Sequence, residues 1–415
     1  MLHVKLSASI FVLLFAVSIC AQDFRQKIGA AVENRDYAAA AAELENLRRA
    51  DRKAFELNNY DYLLARMSEK RGDYAAAMAN YQSVAARNSV LREYALWHLS
   101  QLARSSGNLM LERVHLAELA TTAPNSLLIP AAQARMARSY FESKDFDAAI
   151  RQLSAGEKPS AVITDNKSKP IVAVVSSGET SRENLALIGL SHLQSGRAAE
   201  AREIFNRLMT NLPNPAQPDD FALIAAKSLD EMDSEKGAFG KTAPRLADME
   251  HFRRAKIYQF NRDFPDARLH FTAIVERFPQ SPNLPESLYQ IGRGYALENN
   301  FNEAIKWFER VAAEFPEDAF ARDGLSQSAS AYSRVNKPKE AITRYQRFIE
   351  KYAGEENSER AYLNIIDILR DTGEDTEAVK WTQKTREAFK GGLPEALAVF
   401  AQARVHLAKS DWKSA

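Results

Sequence analysis

The decapeptides RDFPDARLHF (262–271), NNFNEAIKWF (299–308), NKPKEAITRY (336–345) and GEDTEAVKWT (373–382) are copies of one pattern, and their reading decides the fold. Each carries a polar pair, an anchor, two residues, an alanine, three residues and then a bulky side chain or threonine. The anchors Phe264, Phe301, Pro338, Asp375 and then Trp412 follow one another at intervals of 37 residues. Self-similarity at a fixed period of this size is the signature of a repeat array. Towards the N-terminus, RDYAAAAAEL (35–44) and GDYAAAMANY (72–81) keep the same interval, and KDFDAAIRQL (144–153) repeats the pattern.

Three further positions hold to the anchors. Nine residues before them stand Ala65, Ala137, Ala255, Gly292, Ala329 and Ala403, small enough for two antiparallel helices to approach closely. Six before stand Tyr140, Tyr258, Tyr295 and Tyr332, and fifteen after stand Pro124, Pro213, Pro279 and Pro316. Proline lacks the backbone donor and clashes with the preceding turn, so it ends the second helix of each pair. The expected fold is all-α, a right-handed solenoid of antiparallel helix pairs. This spacing of small, Tyr, anchor, Ala and Pro positions resembles the tetratricopeptide repeat. About ten units would run from Gln22 to Ala415, with a period longer than the usual one of about 34 residues.

The array is interrupted. Residues 22–153 read as N-terminal repeats and 245–415 as regular repeats, with the last one cut short. Between them lie 154–182, containing the β-prone KPIVAVVSSGET, and 183–244, an irregular repeat plus an insertion with the helical FALIAAKSLDEM. The Leu109 unit lacks the small alanine, and the Asp375 unit has Ile366 where a small residue is expected.

Composition sets the class of partner. Fifty-five Lys and Arg against 54 Asp and Glu leave a net charge of +1, which argues against nucleic acid, whose binding needs a concentrated basic surface. Residues 1–21 read as a signal peptide, with Lys5 ahead of the apolar run LSASIFVLLFAVSI. Fourteen apolar residues are too few to span a bilayer comfortably, so no stable membrane span is expected after cleavage. The only cysteine, Cys20, rules out an intramolecular disulfide, and Ile19 before it argues against a lipidation signal. Export without cysteine suits a bacterial periplasm.

No catalytic, cofactor-binding or metal-binding residue emerges. Gly240-Lys241-Thr242 ends like a phosphate-binding loop, but Glu235 stands where that loop needs a glycine and no strand leads in. The seven histidines form no i,i+4 pair. What remains is the face presented by the first helices, which in repeats of this class binds extended peptides or partner domains. Its outward positions are Phe252 and Lys256, Tyr289 and Arg293, Ser326 and Ser330, then Leu363, Asp367 and Arg370, and finally Phe400 and Arg404. Phe252, Lys256, Tyr289, Arg293, Arg370 and Arg404 are the candidate binding residues, the aromatic–cationic pairs being suited to a carboxylate or a sugar.

The segments HFRRAKIYQFNRDFPDARLHF (251–271) and LPEALAVFAQARVHLAKSDWKSA (393–415) are similar to the N-terminal helical region of soluble lytic murein transglycosylases. That resemblance implies a non-catalytic scaffold for a peptidoglycan-cleaving domain lying after residue 415. Its partners would be that C-terminal domain or a periplasmic protein, and peptidoglycan. The family's catalytic Glu-Ser is followed by Gly-Leu-Met-Gln; Glu286-Ser287 and Glu142-Ser143 lack that sequel, so neither glutamate takes the role. A second resemblance, to periplasmic repeat adaptors of outer-membrane or envelope assembly, implies protein partners and no catalysis.

Overall fold

The computed structural model describes residues 24–154, 181–235, 237–352, 354, 358–408 and 412–413. The leader at 1–21 with Cys20, and most of the 154–182 insertion, lie outside the described residues. Every regular element among the described residues is an α-helix. Two compact units divide at Ala201 and Arg202.

In the first unit, residues 24–33 form α1. There follow α2 (Tyr37–Ala50), α3 (Arg52–Leu57), α4 (Tyr60–Lys70), α5 (Tyr74–Ala85), α6 (Arg92–Ser105), α7 (Leu109–Thr122), α8 (Ile129–Glu142), α9 (Phe146–Ser154) and α10 (Arg182–Gln194). The division falls in α11 (Ala198–Thr210). The second unit continues with α12 (Asp220–Asp233), α13 (Asp248–Phe260), α14 (Phe264–Arg277), α15 (Leu284–Leu297), α16 (Phe301–Glu314), α17 (Ala319–Arg334), α18 (Pro338–Lys351), α19 (Ser358–Asp371), α20 (Asp375–Ala388) and α21 (Leu393–Ala408). Every anchor from Tyr37 to Asp375 is the first residue of a second helix.

The polar pair before each anchor has a backbone cause. Two residues ahead of the anchor, Arg35, Gly72, Gly107, Lys144, Gly196, Arg262, Asn299, Asn336 and Gly373 all have positive φ. The next residue closes the preceding helix by donating its N–H five residues back, as Asn300 does to the Tyr295 carbonyl at 2.8 Å. Asn299 N–H reaches Ala296 O at 3.0 Å, which completes a Schellman motif. The same residue then caps the second helix: Asp36, Asp73, Asn108, Asp145 and Asn300 accept from the backbone N–H three residues on. One two-residue link therefore ends one helix and starts the next. At the other end, α7, α14 and α16 stop two residues before Pro124, Pro279 and Pro316.

The small positions are where the helices touch. Ala40, Ala77, Ala149, Ala267, Ala304, Ala341 and Ala378 are all fully buried three residues into the second helix. Gly292 is a close partner: a Cβ there would lie 2.8 Å from the Phe308 ring and 3.2 Å from Ala304 O. In the Leu109 unit the alanine position holds Glu112, also fully buried. Ile366 is buried within an apolar cluster that includes Tyr345, Phe348 and Trp381.

Besides the short α3, two helices depart from the pairing. The insertion helix predicted at FALIAAKSLDEM is α12, and irregular chain rather than a second helix joins it to α13. Helix α21 packs on α19 and α20 through Ala398, Ala401 and Val405 and leaves Leu397, Val399 and Phe400 exposed.

Candidate functional site

The sequence-predicted residues of the second unit fall on first helices, because their spacing follows the repeat. Phe252 and Lys256, one turn apart on α13, come together as expected: Lys256 Nζ lies 5.5 Å from the Phe252 ring centroid. It also lies 5.4 Å from the ring of Phe260 and 2.5 Å from Glu286 Oε1 on α15. Glu286, which also accepts from Gln290 Nε2 at 3.2 Å, is held as a structural counter-ion.

Tyr289 and Arg293 do not form the aromatic–cationic pair that their spacing suggests. The Tyr289 ring lies 5.6 Å from Phe308 and 5.5 Å from Phe320, and burial pushes its hydroxyl pKa up. Arg293 turns its Nη1 to Gln290 Oε1 at 3.4 Å. Packing between α15, α16 and α17 claims the tyrosine because its ring fills the space between two phenylalanines. Arg370 pairs with Asp367 at 3.0 Å and Asp371 at 3.3 Å on its own helix, while Arg404 is exposed on α21.

Two clefts lie on this face of the second unit. The first, of about 230 Å³, is mainly apolar; Leu212, Pro215, Met249, Phe252, Lys256 and Phe260 are among its walls. The second, of about 370 Å³, is polar and runs over α15, α17 and α19, with Tyr289, Ser326, Gln327, Ser330, Arg360 and Asn364 along it. Its amides Gln327 and Asn364 stand 37 residues apart, and the buried Gln290 holds the same register one repeat earlier. Asn364 Nδ2 donates to Tyr345 Oη at 2.9 Å, which leaves Asn364 Oδ1 for a ligand. Gln327 and Arg360 are exposed and make no hydrogen bond or ion pair with the described residues. An amide offers both a donor and an acceptor, so this cleft suits the main chain of an extended segment. Sequence reading missed Phe260, Gln327, Arg360 and Asn364; the Gln–Gln–Asn recurrence at the repeat spacing was the signal for two of them.

Lys241 and Thr242 lie in the chain between α12 and α13, and Arg277 donates to Ala243 O and Pro244 O at 3.2 and 3.0 Å. The preceding element is the helix α12, not the strand that a phosphate-binding loop requires.

The profile of the tetratricopeptide repeat matches residues 252–319 and 327–392. The match covers these residues of the second unit, and the turns and buried alanines of the first unit follow the same plan. No curated protein matches the chain. Among solved structures, a tetratricopeptide repeat protein from Parabacteroides merdae is 14% identical, covering 74% of this chain and 98% of its own, with a TM-score of 0.27. The APC/C hetero-tetramer Cut9–Hcn1 is 17% identical over 94% of this chain and 76% of its own, with a TM-score of 0.29. The TPR2AB domain of yeast Sti1, solved in complex with pHSP90, is 14% identical over 77% of this chain and 95% of its own, with a TM-score of 0.25.

Proposed function

We propose that the chain is an exported repeat scaffold that holds a protein partner along the first-helix face of its second unit. The observation that carries the binding reading is the polar cleft over α15, α17 and α19, where Gln327, Arg360 and the Asn364 carbonyl oxygen stand ready for an extended segment. We further infer that its place is the bacterial periplasm, as the non-catalytic helical part of a peptidoglycan lytic transglycosylase. The sequence similarity of 251–271 and 393–415 to that family's scaffold region supports this, as does the engagement of Glu286 by Lys256, which leaves it no free role as an acid.

A photo-reactive amino acid placed at Ser330 tests the first reading. In a producing bacterial envelope it is expected to trap a protein partner, whereas the same group at Lys306, on the exposed side of α16, is not. Equal labelling at both positions would remove the cleft from the argument. The trapped protein decides the second: a lysozyme-like peptidoglycan-cleaving domain supports the transglycosylase reading, and an outer-membrane assembly protein supports the adaptor alternative. Purified residues 22–415 are expected to release no soluble fragments from peptidoglycan sacculi.

A further inference from the structure

Helix α12 is attached to its neighbours in an unusual way. Its buried side chains are Ala222, Ala225, Ala226, Ser228, Leu229 and Asp230, only one of them large and apolar, while Phe221, Leu223, Ile224 and Met232 are half-buried. Small side chains bury little apolar area, so polar contacts add to the attachment. Those contacts are concentrated at its C-terminal half.

Asp230 is almost wholly buried and receives three donors. Arg254 Nη1 of α13 lies 2.5 Å from its Oδ1, and Tyr258 Oη of α13 lies 2.5 Å from its Oδ2. His270 Nε2 of α14 lies 2.9 Å from the same Oδ2. Arg254 is also bound by Asp233 at 2.7 Å and by Glu250 at 3.0 Å, and Arg202 of α11 reaches Asp233 at 2.6 Å. Behind His270 stands His251 of α13, with their Nδ1 atoms 2.9 Å apart and both rings buried. His251 Nε2 is buried without a partner among the described residues.

The proton count in this chain is fixed by chemistry. His270 Nε2 faces a carboxylate oxygen and therefore donates. Between the two Nδ1 atoms there is room for one proton. A proton on each would bring two N–H groups nose to nose, and His251 Nε2 has no acceptor for a further one. The surrounding charges are Asp230 and Asp233 from α12, Glu250, Arg254 and Tyr258 from α13, Asp266, His270 and Arg277 from α14, and Arg202 from α11.

We propose that the Asp230–His270–His251 chain is an acid-sensitive latch that holds the C-terminal half of α12 against α13 and α14. Burial, and then His270, Arg277 and Arg254, hold the His251 pKa down to about 3 in the closed arrangement. Once α12 moves away it takes Asp230 with it, and His270 Nε2 loses its carboxylate. The two rings are then free to turn apart, so that His251 can take a proton towards the ordinary imidazole pKa of about 6.5. The released form then takes up a proton that the closed form refuses. Each pH unit below about 6.5 shifts the balance about tenfold towards release, or about a hundredfold by pH 4.5. Because Asp219 and Ala222 at the start of α12 line the apolar cleft with Phe252, release of the helix would also unmake that cleft.

Hydrogen exchange of the purified chain at about pH 7 and about pH 4.5, normalised to intrinsic exchange rates, tests the latch. Protection of α12 residues 224–233 is expected to fall about a hundredfold while that of α17 holds, and His251→Phe, which keeps a ring beside Phe278, is expected to abolish most of that fall. The latch is refuted if α12 protection changes by less than about threefold, if α17 loses protection in parallel, or if the variant keeps the full pH response. Should the variant lose its helical circular dichroism, the NMR titration of His251 in the native chain decides. A ring that stays neutral down to about pH 4.5 supports the latch, and a midpoint above that overturns it.

Discussion

Glu112 Oε1 and Arg135 Nη2 stand 2.6 Å apart between α7 and α8, at the one second-helix position of its kind where the repeat otherwise places alanine. Arg104 approaches the other oxygen at 3.1 Å, and the Arg135 guanidinium lies 4.7 Å over the Trp97 ring. The carboxylate has no access to water while both arginines keep some. The pair thus lets a charged side chain occupy a close-packing site, because two charge-assisted bonds replace its hydration.

Neutralising that carboxylate while keeping its shape is expected to be costly. Glu112→Gln should lower stability by about 1–3 kcal/mol in urea denaturation, since two cations would face an amide. In a double-mutant cycle with Arg135→Met, a coupling below about 0.3 kcal/mol would show that the contact contributes nothing.

The left-handed link residues give a second test. Lys144 (φ 62°) and Arg262 (φ 63°) carry side chains where Gly72, Gly107, Gly196 and Gly373 stand in equivalent turns. Lys144→Gly and Arg262→Gly should each raise stability by about 0.5–1 kcal/mol, because the left-handed conformation strains any residue with a Cβ. A fall in melting temperature for both would contradict the reading of the turn.

Two glycines on one helix should respond in opposite directions. Gly292→Ala forces a Cβ against the Phe308 ring and should destabilise by about 1–3 kcal/mol. At Gly294 the nearest atom to a new Cβ would be Gln259 Oε1 at 3.5 Å, an ordinary contact. Gly294→Ala should therefore gain up to about 1 kcal/mol from helix propensity alone. Thermal melts of the two variants moving the same way would mean that the close approach of α15 and α16 is wrong.

His115 on α7 is buried with neither ring nitrogen partnered among the described residues, and burial lowers its pKa. Native and unfolded chains are both neutral at this site above about pH 6.5, so the histidine adds no pH dependence there. Below that, the unfolded chain binds a proton that the native chain resists, and stability falls as the pH falls. His115→Leu should stabilise by about 1 kcal/mol at neutral pH, with an advantage that grows on acidification. A constant difference between the two proteins from about pH 7 to 5 would show that His115 is solvated in the native state.

Much of this fold was legible because its determinants are local and periodic. The anchors, the small residue nine before and the proline fifteen after each mark an event on the backbone, so counting recovered the helix pairs. The polar pair was visible as a pattern, but its cause, a left-handed residue followed by a shared cap, needed dihedral angles. Glu112 was legible only as a missing alanine; its arginines come from positions 104 and 135 on two other helices, and no local pattern joins them. The candidate site divided in the same way. Phe252 and Lys256 meet because they are one turn apart. Tyr289 and Arg293 have the same spacing, yet Phe308 and Phe320 take the tyrosine ring, a competition between helices that a single-helix count does not contain. The Asp230–His270–His251 chain spans three helices and was invisible for the same reason.

The link in which one residue closes a helix and caps the next makes the chain a ruler with fixed graduations. From Phe264 to Asp375 each mark comes after 37 residues, so length can change by whole divisions without turning any helix face. Excision of residues 301–337 would join Asn299-Asn300 directly to Pro338, preserving link, cap and anchor, and the shortened chain should still melt cooperatively. Excision of 301–336 would instead set Lys337 at the anchor and rotate the following helix by about 100°, carrying Ala341 out of its contact. A partner lying along the first helices would thus meet a surface whose reach is adjustable only in steps. Gain or loss of a division would change how much of the partner is held, while the grip within each division stays the same.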